Sequence, residues 1–66
     1  MKFRLKELRK ERKMSQEELS RVSRVSRATI GKLENDEEAV VMSKTLLALA
    51  NALSVEVEEL FVNQNG

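Results

Sequence analysis

Apolar residues recur along the chain at intervals of three and four, which is the spacing of an amphipathic α-helix. This spacing predicts five helices: about residues 2–12, 16–23 and 27–34, then from after Ser43 to about residue 53, then about 56–62. Residues 35–42 are expected to form a loop, and residues 63–66 a polar, frayed tail. The predicted core consists of the apolar residues on the inner helix faces: Leu5, Leu8, Leu19, Val22, Val25, Ile30, Leu33, Leu46, Leu49, Leu53, Leu60 and Phe61.

The second and third predicted helices are short, and each is preceded by a serine that can cap it. Ser15 and Glu18 fit the pattern S-x-x-E, in which each side chain binds the other residue's backbone N–H. Ser26 offers an equivalent cap to the third helix. The outer face of the third helix carries small or basic residues: Arg27, Ala28, Gly31 and Lys32. A capped helix with such a face is suited to a negatively charged surface, which is how a helix-turn-helix reads DNA.

Short motifs follow one another in order from about Leu5 to Phe61. They are Leu8-Arg9, Ser15-Gln16-Glu17-Glu18-Leu19, Val25-Ser26-Arg27, Thr29-Ile30, Lys32-Leu33-Glu34-Asn35, Leu46-Leu47-Ala48-Leu49-Ala50, Ala52-Leu53 and Glu58-Glu59-Leu60-Phe61. In their order and spacing they resemble the Xre/Cro-like helix-turn-helix regulators, a family that includes small phage repressors and restriction–modification controller proteins. The resemblance implies an all-α fold: a single compact, five-helix, lambda-repressor-like DNA-binding domain over residues 1–66, with the helix-turn-helix at about 16–34.

Three long polar side chains are the main candidates for DNA contact. Gln16 follows the cap of the second helix, where free backbone N–H groups attract phosphate, and in the family a glutamine here commonly anchors the DNA backbone. Arg27 can form a bidentate fork with guanine, with a phosphate contact or an intrahelix pair as the alternative. Lys32 is expected to meet phosphate, because a flexible point charge specifies bases poorly.

Smaller residues complete the candidate DNA-binding set. Ser26 and Thr29 offer hydroxyls for phosphate or for helix capping, and capping is the favoured use of Ser26. Asn35 resembles the family's backbone-contacting asparagine. Ala28 and Gly31 depart from the longer polar residues common in the family, so they imply close approach of the helix and specificity that depends more on DNA shape.

Other positions bear on the scaffold. Arg9 and Glu34 match a pair that joins the first helix to the end of the third in this family, and an ion pair there would fix the recognition helix. Arg24 occupies a turn position usually held by glycine, and a left-handed backbone there costs about 1 kcal/mol. Asp36 and Ser54 also stand where glycine is common.

Charge is divided unequally between the two halves of the chain. Residues 1–33 contain eleven Lys and Arg against four Glu, a net charge of +7, whereas residues 34–66 contain one Lys against seven Asp and Glu, a net charge of −6. This division predicts one basic and one acidic face, of which the basic face attracts phosphate. The alternative, that helices simply carry charges on their wet sides, explains the total but not the segregation.

The composition argues against several classes of function. The chain has no Cys, His or Tyr and no Gly-rich phosphate loop. We therefore expect no enzymatic activity, and no bound metal, other cofactor or small-molecule ligand. No apolar run approaches the roughly 18 residues of a membrane span, and the basic N-terminus lacks the apolar region of a signal peptide. A cytoplasmic location is expected.

The function that these observations predict is sequence-specific binding of double-stranded DNA by a transcriptional regulator, most simply a repressor acting as a homodimer on a palindromic operator. Val57, Phe61 and Val62 are the predicted dimer seam, and residues 40–42 are a second candidate. The alternative is a protein–protein module, an antitoxin or antirepressor-like partner with the same fold. If the chain is instead the DNA-binding regulator, a separate antirepressor protein is a candidate partner for it.

Overall fold

Helices account for most of the part of the chain that the computed structural model describes, residues 3–36 and 40–61. The α-helices are α1 (Leu5–Glu11), α2 (Gln16–Ser23), α3 (Arg27–Asn35) and α4 (Ser43–Leu53), and a one-turn 3₁₀ helix follows at Val57–Leu60. The prediction of an all-α fold is therefore confirmed for these residues. Within them, no helix has the length and apolar character that crossing a membrane requires.

The helix-turn-helix segment has the local structure that its capping residues predict. The Ser15 Oγ accepts a hydrogen bond from the Glu18 N–H at 3.0 Å, and the Ser26 Oγ accepts one from the Thr29 N–H at 3.1 Å. Arg24 ends α2 in the left-handed conformation, with φ at 63°. The bounds of α2 are as predicted, and α3 continues one residue further than predicted, to Asn35.

The last predicted helix is the main error in the element prediction. The segment predicted as an α-helix over residues 56–62 is a single 3₁₀ turn, closed by reciprocal hydrogen bonds between Glu56 and Glu59. The chain then becomes extended at Phe61, which forms an antiparallel bridge with Phe3, while the Arg4 N–H donates to the Leu60 carbonyl at 2.6 Å. Because Leu60 and Phe61 pair with Arg4 and Phe3 in this way, the chain does not continue as an α-helix beyond the 3₁₀ turn.

The core lies between α1, α2, α3, α4 and the 3₁₀ helix. It contains nine buried hydrophobic residues among those described: Leu5, Leu8, Leu19, Ile30, Leu33, Leu49, Ala50, Leu53 and Leu60. The predicted core residues Val25 and Leu46 are half-buried and pack against it, and Phe61 is half-buried beside Phe3.

The prediction that Val22 lies in the core is wrong, since its side chain is 51% exposed and Ser23 is buried instead. Both residues lie one turn from Leu19, which faces inward, at three and four residues respectively. The packing of α2 selects the residue at four, and the Ser23 Oγ accepts the Val25 N–H at 3.1 Å, so the buried hydroxyl is satisfied.

Candidate nucleic-acid interface

The N-terminal end of α3 is open to solvent. Ser26, Arg27 and Ala28 are exposed, and Thr29 is half-buried behind them. The Ser26 hydroxyl donates to the Thr29 Oγ1 at 2.8 Å and also accepts the Thr29 backbone N–H, so it serves as the helix cap. Since α3 has no acidic residue in its first turn, the positive end of the helix dipole is not compensated from within the helix.

Arg27 projects from this end with only a loose ionic partner. Its Nη1 lies 3.9 Å from Glu17 Oε1, and both side chains are exposed. The pair joins α3 to α2, so it is not the intrahelix pair considered as an alternative. Exposed pairs of this kind contribute about 0–1 kcal/mol, so the guanidinium can leave Glu17 for a stronger acceptor at little cost.

The remaining outer residues of α3 include two small ones and no carboxylate. Ala28 and Lys32 are exposed one turn apart, and Asn35 is exposed at the end of the helix. Gly31 is half-buried, yet a Cβ built on it would meet no atom within 4 Å. Packing within the protomer therefore does not require glycine at this position.

A hydrogen-bonded ion pair anchors the other side of α3. Arg9 donates from Nε to Glu34 Oε2 at 2.9 Å and from Nη2 to Glu34 Oε1 at 3.1 Å, and its Nη1 donates to the Met14 carbonyl at 2.7 Å. The Arg9 and Glu34 side chains are 10% and 1% exposed. The structure thus contains the pair that the family resemblance implied, and it links α1 to the last turn of α3.

Gln16 belongs to the same network. Its Nε2 donates to Glu34 Oε1 at 3.0 Å, and the residue is half-buried. The sequence predicted a DNA contact for Gln16 and gave no indication of this bond. The bond holds the amide beside the C-terminal part of α3.

The network changes the proton affinities of both partners. Burial raises the pKa of Glu34, but the hydrogen bonds from Arg9 and Gln16, with the charges of Arg9 and Lys6, outweigh burial and leave the pKa below its ordinary 4.5. The hydrogen bond to Glu34 raises the pKa of Arg9 in spite of its burial. The charged form of the pair is therefore the favoured one.

A cleft lies between the turn that joins α2 to α3 and the beginning of α4. It has a volume of about 330 Å³ and is lined by Ser23, Arg24, Val25, Ser26, Thr29, Lys44, Thr45 and Ala48. Lys44 is not among the residues that the sequence pattern predicted to be functional. A signal was available, because Lys44 is the only basic residue among residues 34–66.

The residues proposed for the dimer seam divide between the core and the undescribed tail. Val57 is half-buried and packs against the core, and the Phe61 ring lies 5.2 Å from the Phe3 ring, between centroids. Val62 lies outside the described residues. The second candidate seam is more accessible, since Val40 is 96% exposed and Met42 is 69% exposed.

The lowered pKa of Glu34 predicts a specific loss of stability in acid. A carboxyl whose pKa is lower in the folded state stabilises the fold above its ordinary pKa, and the contribution is lost as pH falls through the folded value. The free energy of unfolding, measured with denaturant from about pH 3 to 7, should therefore fall below about pH 4.5. Glu34→Gln should be less stable at neutral pH and show a shallower fall in acid.

A matched control is Glu7→Gln, which removes one carboxylate from the exposed pair with Arg4. Its profile should follow that of the unaltered protein. If the Glu34→Gln profile also runs parallel to the unaltered one through the acid range, the carboxylate does not stabilise the fold through this pair.

Comparison with known proteins identifies the family. The family model described as Helix-turn-helix matches residues 5–60. A similar solved structure is that of the restriction-modification controller protein C.AhdI from Aeromonas hydrophila, with 40% sequence identity and a TM-score of 0.80 over 88% of this chain and 86% of that chain. None of the curated proteins compared with this chain matches it. The chain belongs to the Xre/Cro-like helix-turn-helix family of transcriptional regulators.

Proposed function

We propose that this protein is a sequence-specific regulator of transcription that binds a palindromic operator in double-stranded DNA as a homodimer, with α3 in the major groove. The observation that carries the proposal is the outer face of α3, which is exposed, basic and free of carboxylates. The similarity of the chain to C.AhdI, a restriction-modification controller protein, also favours a controller role for this protein. Repression by occupation of the operator is the simplest action for such a protein.

The division of charge between the two halves of the chain supports binding with the α3 side facing the DNA. Residues 1–33, with a net charge of +7, include the whole of α1 and α2 and most of α3. A basic surface of this kind releases counterions from DNA when it binds, so affinity falls steeply as salt rises. Residues 34–66, with a net charge of −6, would be repelled by DNA and therefore favour binding through the α3 side.

The side chains of α3 and its neighbours divide between two kinds of contact. Arg27 is proposed to read a guanine, because its guanidinium is exposed and only loosely paired. Lys32 and Asn35 are proposed to meet phosphates. Gln16, held against Glu34, is proposed to present the beginning of α2 to the backbone.

The small residues of α3 suit a helix that lies deep in the groove. Ala28 can contact a thymine methyl group, and neither Ala28 nor Gly31 can form a long hydrogen bond to a base. Since packing does not require glycine at Gly31, close approach to DNA is a sufficient reason for its presence. Sequence preference would then depend partly on the shape and deformability of the operator.

The homodimer is proposed from geometry and from exposed apolar surface. One recognition helix reads few base pairs, and a two-fold pair reads two half-sites about 34 Å apart. Met42, at the cap of α4, is exposed beside the half-buried Val41, whereas Val57 and Phe61 pack within the protomer. We therefore place the seam at residues 40–42 in preference to the last segment.

A protein–protein module is the alternative function, and the exposure of Val40 and Met42 is the observation that favours it. Exposed apolar surface marks contact with another protein, which can be a second copy of this chain or a different partner. The basic outer face of α3 has no role in that alternative. Binding of duplex DNA by the isolated protein separates the two.

The assignment of roles in α3 predicts different mutant profiles. Arg27→Ala should cost about 1–3 kcal/mol on the cognate operator and relax preference at one position per half-site, whereas Lys32→Ala should weaken all sequences evenly. Arg27→Lys is the matched control, because it keeps the charge but loses the planar fork, so discrimination should still fall. Competition binding with a series of single-base variants measures these profiles, and identical profiles for Arg27→Ala and Lys32→Ala would contradict the assignment.

The placement of the seam predicts dissociation by a single charge. Met42→Glu should set like charges across the two-fold axis and convert the dimer to monomer in sedimentation experiments, with helicity retained. Asn51→Glu, at an exposed polar position of α4, is the control and should remain dimeric. A dimer unaffected by Met42→Glu would return the seam to the last segment, and an unaltered protein that is monomeric at all concentrations would exclude the homodimer.

A further inference from the structure

We propose that the cleft between the α2–α3 turn and the beginning of α4 binds a phosphate group of the DNA backbone, with Arg24 and Lys44 supplying the positive charge. The inference rests on the proposed DNA-binding function and extends it to residues outside the recognition helix. Arg24 and Lys44 contribute to the cleft from different segments of the chain, and none of the lining residues is acidic. Two cations without a carboxylate form a surface that favours an anion.

Hydroxyl groups supply hydrogen-bond donors in the same cleft. Ser23, Ser26, Thr29 and Thr45 all line it. Thr29 Oγ1 accepts from the Ser26 hydroxyl, and Ser23 Oγ accepts from the Val25 N–H, so these two bonds leave the hydrogens of Thr29 and Ser23 available for donation. The first turns of α3 and α4 both lack acidic residues, so neither helix end opposes a negative ligand.

The position of Lys44 is unusual for the segment that carries it. Among residues 34–66 it is the only basic residue, against seven acidic ones. The fold brings this one cation to the turn of the basic half of the chain, where it is exposed and faces the same cleft as Arg24.

The backbone of Arg24 makes glycine a suitable test substitution at this position. Its φ of 63° is left-handed, which a residue with a Cβ adopts at a cost of about 1–2 kcal/mol and glycine adopts freely. Lys13 and Ser54 share the conformation without lining the cleft, so a left-handed backbone by itself does not indicate a binding residue. At Arg24 the strained position and the cationic cleft coincide, so exchange for glycine removes the cation from the cleft while relieving the strain.

The cleft and the Gln16 network lie at opposite ends of α3. Ser26 and Thr29, at the N-terminal end, line the cleft, whereas Gln16 bonds to Glu34 in the last turn. A helix of nine residues is about 13 Å long, comparable to the width of about 12 Å of the major groove. Phosphate contacts at both ends would fix the orientation and depth of α3, which is the function of backbone contacts.

The test measures affinity for the cognate duplex as a function of salt for Lys44→Gln, Arg24→Gly and the control Lys10→Gln, which removes an exposed lysine from α1. Lys44→Gln and Arg24→Gly should each weaken all sequences by roughly threefold to tenfold and reduce the salt slope by about 0.9, the loss of one phosphate contact. Arg24→Gly should keep or raise the melting temperature, since glycine relieves the strain. Lys10→Gln removes one charge of the basic half that does not line the cleft, so its slope should fall less than that of either cleft variant.

The outcomes distinguish this inference from the proposed function. If the unaltered protein binds DNA with a steep salt slope while Lys44→Gln and Arg24→Gly match Lys10→Gln, the cleft is not a backbone contact. If the unaltered protein does not bind duplex DNA, the proposed function itself fails. Titration with inorganic phosphate, followed by the amide resonances of Thr29 and Thr45, identifies the other source: saturation that Lys44→Gln abolishes, together with unchanged DNA slopes, would assign the cleft to free phosphate and overturn the backbone contact.

Discussion

An ion pair between Arg9 and Glu34 ties α1 to the end of α3, the proposed recognition helix. The guanidinium places two N–H groups on the carboxylate and a third on the Met14 carbonyl, and the carboxylate accepts a further hydrogen bond from Gln16. One network therefore joins α1, the segment before α2, the beginning of α2 and the end of α3. Small domains are stable by about 5–15 kcal/mol, and removing one partner of a buried pair costs about 3–5 kcal/mol because the other charge is left buried and unpaired. Loss of either Arg9 or Glu34 alone would therefore remove a large fraction of the stability of the fold.

The same pair shapes the electrostatics of the surface. Glu34 lies in a helix whose outer side is basic, and burial of its carboxylate against Arg9 keeps that charge off the outer side. The inner side of α3 is fixed by Ile30 and Leu33 in the core. The side of α3 that anchors it to the fold and the side proposed to contact DNA are thus opposite each other, and the outer side is left basic.

Local features of the sequence were sufficient for much of the fold. The bounds of α2 and the start of α3 follow from Ser15 and Ser26, because a cap acts within its own helix. Other features needed the tertiary structure. Periodicity could not choose between Val22 and Ser23 as the inward residue, and it could not show that Phe61 pairs with Phe3 at the other end of the chain.

The arrangement of the candidate site was predictable only in part. The face of α3 could be read from spacing, because its residues lie within one helix. The bond from Gln16 to Glu34 and the cleft that brings Lys44 to the α2–α3 turn join residues far apart in sequence, so only the fold reveals them. Composition did indicate that Lys44 is exceptional, although not what it faces.

A double-mutant cycle on the ion pair tests most directly whether Arg9 and Glu34 act together to hold α3 in the fold. The free energy of unfolding at neutral pH is measured for Arg9→Met, Glu34→Leu and the double variant. A coupled pair predicts that each single variant strands a charge and costs about 3–5 kcal/mol, while the double variant costs less than the sum by about 2–3 kcal/mol. Costs that add within about 0.5 kcal/mol would contradict the account, because they would show that Arg9 and Glu34 stabilise the fold independently.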